Sequence, residues 1–156
     1  MDIENYFRNL ECDYWREYPR SYGLLNVYQR TVQIVGADCG SSALYFLLRG
    51  ASSVVQYEKE EKLRKKWQQV CADFSICDKA VMKEEWNGEY EDTNIFIMDC
   101  EGCEEKLNVS QLNKYSQWCI GVHDWAKNRV ELLRKLEGAT FTYASDDGRE
   151  ITLCRI

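Results

Sequence analysis

Residues 31–58, TVQIVGADCGSSALYFLLRGASSVVQYE, decide the fold of this 156-residue chain. Thr31–Val35 is apolar and mostly β-branched, which is typical of a strand buried on both faces. A helix is predicted over residues 42–48, apolar nearly all round and ended by Gly50, and a second strand over Ser53–Tyr57. Parallel sheets are built from such strand–helix–strand units, so this stretch predicts an α/β fold.

The turn between the first strand and the helix has the features of a nucleotide-binding site. Gly36 and Gly40 leave its backbone bare, and Glu58 stands at the carboxyl end of the second strand. In doubly wound sheets the N–H groups of such a turn face the ligand, and an acidic side chain about 20 residues further on binds the ribose hydroxyls. The spacing from Gly36 to Glu58 fits this arrangement; a purely structural glycine turn is the alternative.

Composition and charge limit the classes of function. With 45% hydrophobic and 29% charged residues, the chain can form one domain with a substantial core. Its net charge of −6 argues against a general nucleic-acid-binding protein, and the basic run at residues 62–66 is either a local patch or the solvated face of a helix. No apolar run is long enough for a membrane span, and the acidic N-terminus is no signal peptide, so we expect a cytoplasmic protein without membrane contact.

The remaining pattern alternates helices and strands. Helices are predicted over residues 2–18 (ended by Pro19), 59–70, 110–115 and 127–136, and strands over residues 73–77, 94–98, 117–122, 139–144 and 150–155. The last two strands are joined at Asp146-Asp147-Gly148, a strong hairpin signal. We therefore expect an N-terminal helical arm, 1–30, and a domain, 31–156, with five parallel strands, a C-terminal antiparallel hairpin and helices on both faces of an open sheet. This order is similar to that of class I methyltransferases, which bind S-adenosylmethionine.

Eight cysteines are many for an intracellular chain, although hyperthermophilic archaea do use intracellular disulfides. The strand order suggests two pairings, Cys39 with Cys100 and Cys119 with Cys154. Buried free thiols are the slightly favoured alternative. The chain has no second Cys-x-x-Cys beside Cys100-x-x-Cys103, and only one histidine, so no metal site is expected.

Two motifs resemble those of FkbM-type methyltransferases. GADCG at residues 36–40, followed by LRGA at residues 48–51 and a strand ending in glutamate, is similar to the first motif of that family. MDCEGCE at residues 98–104 closely follows its fourth-strand signature, and His123 stands where the family often has Glu-x-His. The resemblance covers roughly residues 31–156.

The resemblance implies transfer of a methyl group from S-adenosylmethionine to a hydroxyl of a small-molecule or glycan acceptor. It implies cofactor contacts for Gly36, Ala37, Gly40, Glu58 and Asp78, with Glu58 on the ribose and Asp78 on the adenine. Asp38, which stands where the family has asparagine, would either bind the cofactor's ammonium group or obstruct binding. Asp99 and Glu101 would lie beside the methyl group. A hydroxyl acceptor benefits from a base near neutral pKa, and His123 or Asp99 would supply it.

Four positions depart from the family pattern: Ile34 replaces an acidic residue, Asp38 an asparagine, Gly121 a glutamate and Ile97 a lysine. These departures leave open a non-catalytic binding or interaction protein on the same fold. The aromatic side chains of the N-terminal arm would either pack on the core or cover the cleft. Because the loops after the fourth and fifth strands are short, closure of the cleft requires this arm or a second subunit in a homodimer.

Overall fold

The computed structural model describes residues 1–156 and contains one mixed sheet of seven strands in the order β3-β2-β1-β4-β5-β7-β6. The strands are β1 (Thr31–Val35), β2 (Ser53–Tyr57), β3 (Ala80–Lys83), β4 (Ile95–Met98), β5 (Gln117–His123), β6 (Thr140–Ala144) and β7 (Glu150–Arg155). The first five are parallel, and β7 lies antiparallel between β5 and β6. The predicted fold class is confirmed.

The helices are α1 (Ile3–Asn9), α2 (Tyr18–Tyr22), α3 (Ser41–Leu48), α4 (Glu61–Asp73) and α5 (Arg129–Lys135). Short 3₁₀ helices cover Trp15–Glu17, Cys103–Lys106 and Val109–Lys114, and Asn108 caps the last of these. Apolar clusters fill both faces of the sheet, so every residue of β4 is buried. None of the helices is both long and apolar enough to cross a bilayer.

The N-terminal arm is not the single helix that the sequence predicts. The chain leaves the helical conformation after α1, with Glu11 at a φ of 58°. Pro19 does not end a helix but lies in the first turn of α2, where its missing N–H costs no hydrogen bond. Phe7 and Tyr18 are buried in the same apolar cluster as α3 and α4, so the arm shares the core of the domain.

The predicted third strand, residues 73–77, is wrong. The apolar side of α4 continues through Val70 and Cys71, so the helix runs on to Asp73, and the strand is Ala80–Lys83. A disulfide between Cys71 and Cys77 closes the turn between them. As a result Asp78 precedes the strand instead of following it, and lies exposed at the opposite edge of the sheet from the cavity described below.

Six of the eight cysteines form disulfides: Cys71–Cys77, Cys100–Cys103 and Cys119–Cys154. The pairing of Cys119 with Cys154 is confirmed, because these residues face each other in the β5–β7 register. The Cys39–Cys100 pairing is wrong, since Cys100 bonds to Cys103 within its own turn and Cys39 is a free buried thiol. The expectation of free thiols therefore holds only for Cys12 and Cys39.

Candidate functional site

A cavity of about 590 Å³ opens at the carboxyl ends of the parallel strands. This is the edge at which open α/β sheets bind ligands, and the volume lies in the usual range for small-molecule sites. Of the residues predicted from the sequence, Gly36, Asp38, Glu58, Asp99, Glu101 and His123 line it. Ala37 and Gly40 are buried behind the turn and shape it, and Asp78 is absent from the lining.

The glycine turn and the end of β2 are held together by hydrogen bonds. The N–H groups of Gly36 and Ala37 donate to the carbonyl oxygen of Tyr57 at 3.0 and 2.9 Å. Glu58 is only 8% exposed, and its Oε1 accepts a hydrogen bond from the Asp38 N–H at 2.8 Å. The carboxylate predicted to bind a ribose is therefore fixed beside the turn, at the wall of the cavity.

Gly36 and Gly40 are required for two different close contacts. Both have a φ of 89°, which disfavours side chains. A Cβ on Gly36 would lie 2.0 Å from the carbonyl oxygen of Asp99, so the loops after β1 and β4 touch through their backbones. A Cβ on Gly40 would lie 2.1 Å from the ring of Trp67, which fixes α3 against α4.

Several lining residues were not predicted from the sequence. Glu85 and Trp86 follow β3 and occupy the position that the misplaced strand had given to Asp78. From the N-terminal arm, Tyr14 and Glu17 line the cavity, together with Glu11, Tyr18 and Tyr22. No pattern in the sequence indicates these side chains, because their position depends on how the arm packs.

Glu150, at the start of β7, also lines the cavity and pairs with His123 in the β5–β7 register. This residue could have been found from the sequence. In an antiparallel pair the two residue numbers have a constant sum, and 119 plus 154 equals 123 plus 150. The pairing of Cys119 with Cys154, which the sequence suggested beside the alternative of free thiols, therefore places Glu150 opposite His123.

The buried carboxylate of Glu104 orients His123. Glu104 is fully buried, and its Oε1 lies 2.8 Å from Nδ1 of His123 and accepts the backbone N–H of the same residue at 3.2 Å. The other oxygen, Oε2, accepts the N–H of Gly102 at 3.0 Å. With Nδ1 held in this way, Nε2 of His123 points towards the cavity and lies 3.7 Å from Oε2 of Glu150.

Asp99 and Glu150 form a carboxyl pair next to His123, because a carboxylate oxygen of each lies within 4.8 Å of the other and of a ring nitrogen of the histidine. A Cβ on Gly121 would lie 3.0 Å from Oδ1 of Asp99 and 3.2 Å from Oε1 of Glu150. Gly121 therefore makes room for this pair. Gly121 has no side chain, and Glu150 of β7 places a carboxylate next to it.

Burial dominates the protonation of the carboxyl pair. Burial, and then the neighbouring Glu150, raises the pKa of Asp99 well above its ordinary value, and burial also raises the pKa of Glu150. Burial lowers the pKa of His123, but the hydrogen bond and charge of Glu104 and the charge of Asp99 outweigh it, so this pKa is raised. The arrangement can hold protons or cations at the end of the cavity away from Glu58.

Asp38→Asn is expected to stabilise the protein at pH 7 and to change its stability little at pH 4. Burial, and then the charge of Glu58, raises the pKa of Asp38 to about 6. Because the folded-state pKa lies above the unfolded-state value, stability is lost as the pH rises from about 4 through about 6, by roughly 2–3 kcal/mol. Asparagine tolerates the φ of 54° at this position and carries no charge.

Urea unfolding at both pH values measures this effect, with Asp78→Asn at an exposed site as the control. Equal stabilisation at pH 4 and pH 7 would contradict the assignment to the Asp38 charge.

Several solved structures with a similar fold are methyltransferases. The chain is similar to fibrillarin of Aeropyrum pernix, solved with natively bound S-adenosyl-L-methionine, at a TM-score of 0.63, with 10% identity over 88% of this chain and 71% of that one. It is also similar to the ribosomal protein L11 methylase of Lactobacillus delbrueckii subsp. bulgaricus, at a TM-score of 0.63, with 17% identity over 82% and 69% of the two chains. The chain therefore has the fold of class I S-adenosylmethionine-dependent methyltransferases.

Two viral proteins show the family of the chain at the level of sequence. Protein 65 of Sulfolobus islandicus filamentous virus is 68% identical over 99% of this chain and 98% of its own length. Protein 158B of Sulfolobus islandicus rod-shaped virus 1 is 51% identical over the full length of both. The chain belongs to this family of viral proteins. No protein-family model matches it.

Proposed function

We propose that the protein is an S-adenosylmethionine-dependent methyltransferase that methylates a hydroxyl oxygen of a small-molecule or glycan acceptor, as the resemblance to FkbM-type enzymes implies. One observation carries the proposal. A single cavity has the glycine turn and the fixed Glu58 carboxylate at one end, and His123 with its Nε2 directed inward at the other.

The residues at the first end fit the cofactor. Glu58 is buried at the wall and presents a carboxylate to the hydroxyls of a ribose, the group that an acidic side chain binds at this place in doubly wound sheets. Trp86 offers an aromatic surface, and Glu85 a carboxylate, beyond the end of β3, where the adenine is expected. Ile34 offers no charge to the amino-acid part of the cofactor. Asp38, which lines the same cavity, is the carboxylate that would bind the ammonium group of the cofactor instead.

The residues at the second end fit an acceptor hydroxyl. S-adenosylmethionine supplies a methyl group on a sulfonium, so a bond from the acceptor oxygen to the methyl carbon forms as the carbon–sulfur bond breaks. His123 receives the hydroxyl proton at Nε2, because Glu104 holds Nδ1 and stabilises the imidazolium that results. Tyr14 and Glu17 of the N-terminal arm also line the cavity, where they would help to exclude water from a bound acceptor.

The alternative is a non-catalytic binding protein on the same fold, and Ile34 is the observation that favours it. An acidic side chain at that position would help to anchor the amino-acid part of the cofactor. Ile34 is instead almost completely buried and lines the cavity with apolar surface. Measurement of cofactor binding separates the two functions.

Calorimetric titration with S-adenosylhomocysteine, in buffer containing EDTA, tests the proposal. We expect micromolar binding to the wild-type protein and binding that is roughly 10–100-fold weaker in Glu58→Gln, because hydrogen bonds to a charged group contribute about 1.5–3 kcal/mol. Asp78→Asn is the matched control, since its side chain is exposed at the opposite edge of the sheet, and its affinity should equal that of the wild type. No binding by folded wild-type protein would overturn the proposal and support the non-catalytic function.

A further inference from the structure

Three side chains at the inner end of the cavity present metal-ligating atoms to one another. Asp99, His123 and Glu150 come from the end of β4, the end of β5 and the start of β7, and one ligand atom of each lies within 4.8 Å of the other two. Atoms bound to one cation at about 2.0–2.2 Å lie at most about 4.4 Å apart. Shifts of a few tenths of an ångström therefore bring these three atoms onto one ion.

The orientation of His123 independently indicates a ligand. The residue is only 8% exposed, and its Nε2 makes no hydrogen bond although it points into the cavity. Its Nδ1 is bonded to the fully buried carboxylate of Glu104 at 2.8 Å. Metal-binding histidines are held in this way, with one ring nitrogen on a carboxylate and the other free for the ion.

The charges around the three side chains also favour a cation. Glu104 and Glu150 have no ion pair with any lysine or arginine, and Asp99 has no ion pair at all, so His123 is the only basic side chain that pairs with this group. Buried carboxylates are normally paired with a cation or coordinate a metal.

We propose that Asp99, His123 and Glu150 bind one divalent cation through a carboxylate oxygen of each acidic residue and Nε2 of the histidine. Glu104 is a positioning residue that orients the imidazole. Carboxylates suit both Mn²⁺ and Mg²⁺, whereas an imidazole suits transition metals. Because the site has two carboxylates and one imidazole, Mn²⁺ is the preferred ion over Mg²⁺. The remaining coordination positions face the cavity.

The role of the cation rests on the proposed function, whereas the site itself does not. An acceptor hydroxyl that binds the ion loses its proton to water more easily, and the resulting oxygen is held for methylation. With the ion bound, Nε2 of His123 is a ligand and does not receive the acceptor proton, so the cation replaces the histidine as the activating group. The substrate class is then an acceptor whose hydroxyl oxygen coordinates a divalent metal.

Titration of the EDTA-treated and dialysed full-length protein with Mn²⁺, followed by electron paramagnetic resonance without cofactor, tests the site. We expect one bound ion per chain, with a nitrogen coupling from the imidazole in the spectrum. Glu150→Gln should weaken binding at least 30-fold, and His123→Ala should abolish the nitrogen coupling. Glu104→Gln should weaken binding about 10–100-fold, as expected for a residue that orients a ligand.

Glu60→Gln is the matched control, because Glu60 lines the same cavity near Glu58 and should leave Mn²⁺ affinity unchanged. Thermal unfolding shows which variants are folded. Absence of Mn²⁺ binding by the wild type at millimolar concentration, or equal affinity in folded Glu150→Gln, would overturn the inference. Because the titration contains no cofactor, failure here leaves S-adenosylhomocysteine binding intact, and failure to bind S-adenosylhomocysteine leaves the metal site intact.

Discussion

Gly36→Ala is expected to destabilise the protein by more than about 4 kcal/mol, a loss large enough to indicate a backbone clash in the core of the fold. The added Cβ would lie 2.0 Å from the carbonyl oxygen of Asp99 and 2.6 Å from its carbonyl carbon, neither of which belongs to a flexible side chain. Relief requires the loops after β1 and β4 to separate, and these loops form the centre of the cavity. In a chain of this size the unfolding temperature should fall by roughly 10 °C or more.

Gly88→Ala is the matched control for this prediction. Gly88 has a φ of 92°, close to the 89° of Gly36, but a Cβ there would meet nothing within 4 Å. The control therefore measures only the conformational strain of a left-handed residue, about 1–2 kcal/mol. Thermal unfolding of the two variants would give equal losses if the close contact between Gly36 and Asp99 did not exist. Any folded Gly36→Ala protein should also have lost S-adenosylhomocysteine binding.

Removal of the Cys119–Cys154 disulfide by the double alanine variant is expected to cost about 4 kcal/mol. This bond links β5 to β7 across 35 residues of chain, and in the chain-entropy description the stabilisation grows with the length of the closed loop. The Cys71–Cys77 disulfide closes only six residues and should contribute about 2 kcal/mol. The larger loss corresponds to roughly 10 °C in unfolding temperature.

Unfolding in oxidising and in reducing buffer separates the cross-link from packing. In reducing buffer neither the wild type nor the double alanine variant has the disulfide, so their difference in stability there reports the truncated side chains. The additional difference between the two proteins in oxidising buffer reports the disulfide. The double alanine variant at positions 71 and 77 is the control for a short loop. Thiol titration of the unfolded wild type should find two free cysteines, Cys12 and Cys39. Eight free thiols, or no stability difference between the buffers, would contradict the prediction.

Much of the first half of the site was readable from the sequence because it is local. The strand, glycine turn and helix of residues 31–48, and Glu58 at the end of β2, follow from patterns within about 30 residues, and the structure brings Gly36, Asp38 and Glu58 to one cavity. The error at Asp78 was also local in origin. The prediction assigned residues 73–77 to a strand, but α4 ends at Asp73 and the remaining residues form the turn closed by the Cys71–Cys77 disulfide. A short apolar run does not by its periodicity indicate which kind of element it belongs to.

The sequence by itself determined the α/β order and the turn at residues 36–40, and it suggested the pairing of Cys119 with Cys154 without deciding between a disulfide and free thiols. Only the tertiary structure decided that Glu104 holds Nδ1 of His123, that Asp99 lies beside Glu150, and that the N-terminal arm lines the cavity. The physical reason is the range of the interactions. Turns and periodicity depend on residues that are neighbours in the chain. The register of an antiparallel strand pair follows a constant sum of residue numbers, so one pair of residues defines the others. The direction of a buried side chain depends on what fills the space around it, and that space is bounded by residues far apart in the chain.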